Sequence, residues 1–271
     1  IAIGYRAGLP SAGSYDVFIG YEAGAQTKGG TSVGIGRGAG RGSNGVTEYG
    51  GTSGSANTSV GYYAGNYNLG SDNTKIGKEA GFYATGSYNT FMGSQAGKGG
   101  TTSAPFSSGE RNTAVGYKAL QDFTTGEHNV AIGYEAAENI TTGNYNTVVG
   151  YNAYQGATGG SETVSVGYQA GAIAQGGESV LIGYQAGYGT SGGSGANGSW
   201  NVAIGKQALM SQRTGARRNV AIGYRSLYRL LDNGEDSVAV GYESGLYATG
   251  SNNTFVGKEA GKGGNSSAPY S

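Results

Sequence analysis

Apolar and polar residues follow one another along this chain in short cassettes that are nearly identical. An aliphatic–glycine pair recurs fifteen times, with glycines at Gly4, Gly20, Gly36, Gly61, Gly77, Gly93, Gly116, Gly133, Gly150, Gly167, Gly183, Gly205, Gly223, Gly241 and Gly257. The residue before each glycine is Ile, Val or Met, and the residue three before it is always β-branched. Four before stands a small polar residue, which is Asn at nine of fourteen positions, Asn57 and Asn129 among them. One after is Tyr ten times, and three after is Ala except at Ser226 and Ser244. Eleven of the fourteen glycine spacings are 16, 17 or 18 residues. A β-branched run bounded by Asn and Gly reads as a short strand. A period this brief is too small for helix-pair repeats. We therefore expect an all-β fold, a narrow parallel β-solenoid of about 15 coils over 1–271, without division into unlike domains.

Each coil has room for two strands of four or five residues and two turns. Tyr and Ala, two apart, then share one face of the second strand, with the usually polar residue between them on the solvent side. Alanine fits a coil so thin that only a methyl has space. Stacking places Asn over Asn and Tyr over Tyr, so side-chain ladders are expected.

One further column predicts association. Two before the glycine stand Ala2, Phe18, Phe91, Ala114, Ala131, Val148, Leu181, Ala203, Ala221, Ala239 and Phe255, and only Gly34, Ser59, Lys75 and Ser165 depart. The first strand is thus apolar on both faces. A thin coil has one interior, so the second face needs other cover, most simply sibling chains about a common axis. At ~4.8 Å per coil, the array would extend on the order of 70 Å.

Composition narrows the chemistry. Of 271 residues 57 are Gly, 22 Tyr, three Pro, one His and none Cys. Disulfide scaffolds and thiolate metal sites are excluded. Seventeen basic and seventeen acidic residues leave no net charge, so nothing recruits nucleic acid. No apolar run approaches a membrane span, so no membrane insertion is expected in this segment. The chain opens inside a cassette and reads as a piece of a longer fibre. Residues 81–107 recur at 245–271 with 19 of 27 positions identical, as though length were grown by block copying.

Enlarged turns are expected near 37–56, 97–111, 187–200 and 261–271. Loops on a regular scaffold are where binding resides, and their aromatics Trp200, Tyr49, Phe106 and Tyr270 are candidate contacts for cell-surface glycan. Against this stands a loop that folds over and tucks its aromatic into a seam. Phosphate-loop, calcium-roll and catalytic readings lack support. No helix follows the Gly-rich strings, Asp is scarce, Glu22 and Glu79 occupy a variable solvent column, and His128 sits at a turn. No catalytic residue, cofactor or metal is expected. Threonines such as Thr58 and Thr74 resemble an ice-binding grid, but they alternate with Val, which marks a buried column. The sequons at Asn57, Asn139, Asn197 and Asn265 matter only where the source glycosylates.

The cassettes Asn129-Val130-Ala131-Ile132-Gly133 and Asn201-Val202-Ala203-Ile204-Gly205 resemble the Ser-Val-Ala-Ile-Gly repeat in the heads of trimeric autotransporter adhesins. The longer form, from Thr141 to Tyr151, is similar to repeats in phage tail-fibre shafts. The resemblance covers nearly the whole chain and implies a homotrimer of narrow, left-handed β-rolls. It leads us to expect a non-enzymatic shaft of an extracellular trimeric fibre on a virion or cell surface, joined to itself and extended end to end. The alternative is a bacterial adhesin or extracellular filament that binds host glycan or matrix.

Overall fold

The computed structural model describes residues 1–9, 13–42, 54–67, 69–100, 106–174, 176–189, 198–212, 216–230 and 234–264. Two compact units divide the chain, Ile1–Thr142 and Gly143–Ser271. The first carries β1 (Ala2–Ile3), β2 (Val17–Ile19), β3 (Val33–Ile35), β4 (Thr58–Val60), β5 (Thr74–Ile76), β6 (Thr90–Met92), β7 (Thr113–Val115) and β8 (Val130–Ile132). The second carries β9 (Thr147–Val149), β10 (Val164–Val166), β11 (Val180–Ile182), β12 (Val202–Ile204), β13 (Ser211–Gln212), β14 (Val220–Ile222), β15 (Arg229–Leu230), β16 (Val238–Val240) and β17 (Thr254–Val256). Among the described residues there is no helix. The protein is an all-β parallel solenoid.

Within each unit the cassette strands pair parallel and in strict register, for example Thr113↔Val130, Ala114↔Ala131 and Val115↔Ile132. Eight ladder strands bound seven closed coils in the first unit. Seven ladder strands (β13 and β15 excepted) bound six in the second. The repeat glycines therefore mark fifteen strand positions but thirteen closed turns.

The second strand expected in every coil is not there. After the glycine the chain runs through linked tight turns, such as Ala96 N–H to Gly93 O at 3.3 Å. Among the described residues the two 18-residue coils afford one further two-stranded pairing, between β13 and β15, and Ala84 makes a single parallel bridge with Ser107. Tyr and Ala consequently do not share a face. Between them lies a residue in the left-handed region, Glu135 at φ 51° for instance, which turns Tyr134 outward and leaves Ala136 buried. The turns still join the ladder: Glu135 N–H donates to Tyr117 O and Leu120 N–H to Ala136 O, both at 2.9 Å.

The repeat glycine is dictated by this stacking. Gly61 has φ +132°, and a β-carbon there would stand 2.6 Å from the carbonyl oxygen of Gly77. That clash is with backbone, so no rotamer relieves it.

The column two before the glycine forms the interior. Phe18, Phe91, Ala114 and Ala131 of the first unit and Val148, Leu181, Ala203, Ala221 and Ala239 of the second are buried. At several coils the residue four after the glycine is complementary to it in size. Opposite Phe91 stands Gly97, whose added β-carbon would fall on the Phe91 ring. Opposite Ala114, Ala203 and Ala221 stand Leu120, Leu209 and Leu227, all fully buried. Val148 is matched by Tyr154, whose hydroxyl donates to Gly176 O at 2.5 Å and whose burial pushes its pKa up to about 12.

Asparagines complete the interior as a hydrogen-bonded ladder. In the first unit Asn57, Asn73, Asn89, Asn112 and Asn129 are buried. The amide oxygens of the first four accept the next asparagine's backbone N–H at 2.8–3.0 Å. Several amide nitrogens donate to a glycine carbonyl, as Asn112 does to Gly126 at 2.9 Å. Asn57 is therefore closed to glycosylation, while Asn139 is half-buried. Asn197 and Asn265 lie outside the described residues.

Lys75 occupies the apolar column itself, fully buried, in register with Ser59 and Phe91. Its Nζ donates to Ala84 O at 2.8 Å. Desolvation lowers its pKa from 10.5 to about 7.

Two expectations follow. Between pH 7 and 10.5 the native lysine has shed its proton while the unfolded one keeps it, so stability rises across that window. Below pH 7 the penalty is greatest, on the order of a few kcal/mol. Denaturant unfolding from pH 5.5 to 10.5 checks this, and Lys75→Met should flatten the curve and raise its acid limb. Second, Phe91→Ala should cost about 3–5 kcal/mol, and Gly97→Leu should overpack the same site. The double variant should recover part of both losses, as Ala114 with Leu120 does naturally. A double-mutant cycle showing additive losses would contradict the size match.

Candidate interaction surface

The strand residues flanking the inner column point outward. In the first unit these outer columns run from Val17 and Ile19 to Val130 and Ile132. In the second they run from Thr147 and Val149 to Thr254 and Val256. Every residue in them is Val, Thr, Ile or Met, and none carries charge. Their side chains are half-buried or exposed, with Ile19 at 37% and Met92 at 43%. An outward sheet face on a solitary chain is ordinarily polar. The structure thus assigns the two apolar faces inferred from sequence: the Ala and Phe column is interior, and the aliphatic pair is open. The Thr–Val column, expected to be buried, lies on this open face instead. Four consecutive threonines, Thr58, Thr74, Thr90 and Thr113, stand on β4 to β7, with Val at the corresponding place on β2, β3 and β8.

Beside this face runs the tyrosine column. Tyr151, Tyr168 and Tyr184 stack at 5.2 and 5.0 Å with planes 6° and 7° apart. Tyr5–Tyr21, Tyr117–Tyr134 and Tyr224–Tyr242 repeat the contact at 5.1–5.2 Å. Where the cassette substitutes a cation, it covers a neighbouring ring: Lys206 lies over Tyr184 and Arg37 over Tyr21. The next column is a polar ladder. Gln185 donates to Gln169, Gln207 to Gln185 and Arg225 to Gln207 at 2.9–3.1 Å.

The carboxylates in that column are neutralised in place. Glu22 lies between Arg6 and Arg41 at 3.7 and 3.5 Å. Burial would raise the Glu79 carboxyl, but hydrogen bonds from Lys98 and Gln95 outweigh it and hold the group below its usual range. Both residues are half-buried rather than on the solvent side. Among the described residues no group of three or more His, Asp or Glu is placed to hold a metal ion. No helix there is long and apolar enough to cross a membrane.

The four loop aromatics fare differently. Phe106 packs on Tyr67 and Tyr83 at 4.7 and 5.8 Å in the first unit, so it is tucked rather than free. Trp200, in the second unit, is 48% exposed, and its indole N–H donates to Glu178. Tyr49 and Tyr270 lie outside the described residues. His128 is half-buried at a turn with φ 57°. The cluster that sequence reading missed is Tyr63, Tyr67, Phe82 and Tyr83, whose rings meet at 5.7–5.8 Å. Its signal was present as aromatics two, five and six after the glycine, outside the cassette's restricted positions.

No protein-family model matches the chain, and neither a curated protein nor a solved structure matches it.

Proposed function

We propose that this chain is a shaft segment of an extracellular trimeric fibre, a tail or surface fibre that holds a receptor-binding tip away from a virion. One observation carries the reading. The outer columns of both units form an uncharged face of Val, Ile, Thr and Met that a solitary chain leaves half in water. A second and third copy would bury it about a shared axis, as the resemblance to trimeric β-rolls leads one to expect. Between the two families that share the repeat, the tail-fibre shaft is the better fit. Its longer cassette matches the spacing here, and a duplicated block suits a part whose task is length. The activity is mechanical: backbone bonds in successive coils carry load along the stack.

Light scattering coupled to size exclusion should give three times the 27.2 kDa of one chain. Ile132→Lys with Ile182→Lys, one on each unit's open face, should lower that mass to the monomer without altering the far-ultraviolet spectrum. A wild-type chain that is monomeric at micromolar concentration ends the proposal.

A further inference from the structure

The column six after the glycine carries Gln26, Gly42, Tyr67 and Tyr83 on four successive coils of the first unit. Gly42 has no side chain, so a gap opens between Gln26 and Tyr67. Arg41, Gly42, Asn66 and Tyr67 line it, and it encloses about 30 Å³.

Two polar atoms of this lining are buried without a hydrogen-bond partner, Asn66 Oδ1 and Arg41 Nε. Asn66 is only 6% exposed, and leaving such an atom unpaired is costly. Arg41 Nη1 faces Glu22 at 3.5 Å, so the guanidinium charge is already balanced.

Tyr67 adds a half-buried ring. Tyr83 and Phe106 both lie nearly parallel to it, at 5.8 and 4.7 Å, with planes 18° and 30° from its own. They are themselves only 5.8 Å apart. Rings on opposite faces of Tyr67 would be separated by at least ~7 Å, twice the ~3.5 Å contact distance. Both therefore cover one face, that of the later coils. Among the described residues no ring stacks on the other, and Phe82 meets Tyr67 in an edge-type contact at 5.7 Å.

An unpaired acceptor beside an unpaired donor specifies a group that donates and accepts at once. A carboxylate only accepts and an ammonium only donates, whereas a hydroxyl does both. The gap admits one oxygen-sized group. That unstacked side of the ring suits the C–H face of a sugar, whose weakly positive hydrogens meet the negative π-cloud. We propose that Arg41, Asn66 and Tyr67 form a binding site for a neutral carbohydrate. One hydroxyl donates to Asn66 Oδ1 and accepts from Arg41 Nε, and the pyranose ring rests against the unstacked face of Tyr67. This goes beyond the shaft reading and places a sugar contact on the side of the coils, away from any tip.

The test titrates the chain with neutral gluco-, galacto-, manno- and N-acetylglucosamine oligosaccharides, followed by saturation-transfer NMR and calorimetry. At least one should bind saturably. Asn66→Leu and Tyr67→Leu should each weaken it tenfold or more, with circular dichroism and oligomeric mass unchanged. Should Asn66→Leu fail to fold, the half-buried Tyr67→Leu carries the test alone. Failure of every oligosaccharide to bind the folded chain, an ordered water being the gap's sole occupant, overturns the proposal. So does binding that survives Tyr67→Leu. A trimer that binds no sugar refutes this site alone, and a sugar-binding monomer refutes the shaft alone.

Discussion

Backbone hydrogen bonds in each unit run chiefly from one coil to the next, and that single constraint governs the remainder of the structure. Each coil can satisfy its neighbour only by following the same path. Gly116 N–H reaches Met92 O, and Gly133 N–H reaches Val115 O, both at 2.8 Å, although the intervening chain differs in length. Extra residues are therefore expelled into enlarged turns. Once the path is common, equivalent residues stack, and every position becomes a column with one environment. Alanine three after the glycine, asparagine four before it and the glycine itself are three consequences of that stacking.

The same constraint shows why part of the fold was legible and part was not. The period, the parallel pairing and the asparagine ladder could be read, because each rests on residues restricted by their neighbours above and below. The turns could not. Their backbone depends on left-handed residues at sites filled by Tyr88, Glu135, Glu162 and Trp200, none of them a residue that favours positive φ. Local preference opposes such conformations by about 1 kcal/mol or more each. The inter-coil bond made at the same residue, such as Glu162 N–H to Asn144 O at 2.9 Å, offsets it. Propensity reasoning places Glu135 in a second strand, and the ladder overrides it.

The open face was half legible. Two apolar faces could be counted from the cassette, but which one is interior depends on the direction the strand takes into its turns. Phe91 settles that question: it needs Gly97 beside it, and the two meet only if the column two before the glycine points inward. The aliphatic pair then faces out by alternation. The loop aromatics were less legible still. Phe106 found partners in Tyr67 and Tyr83, rings outside the cassette, and nothing in its own Pro-containing turn names them.

A repeat this strict also makes its exceptions informative. Where a column is uniform, stacking satisfies each member, and the charged or polar groups are paired by the coils on either side. Where it changes, a neighbour loses its complement. Lys75 enters a column of apolar residues and carries its desolvation as a lowered pKa. Gly42 stands between Gln26 and Tyr67 in its column, and beside it Asn66 Oδ1 and Arg41 Nε are unmatched. The first defect is sealed among Ser59, Phe91 and the Ala84 carbonyl, so it acts through stability. The second borders a small gap beside the Tyr67 ring, where the proposed sugar hydroxyl would complete it. In a solenoid whose ordinary coils are self-satisfying, specific chemistry resides where the repeat is broken.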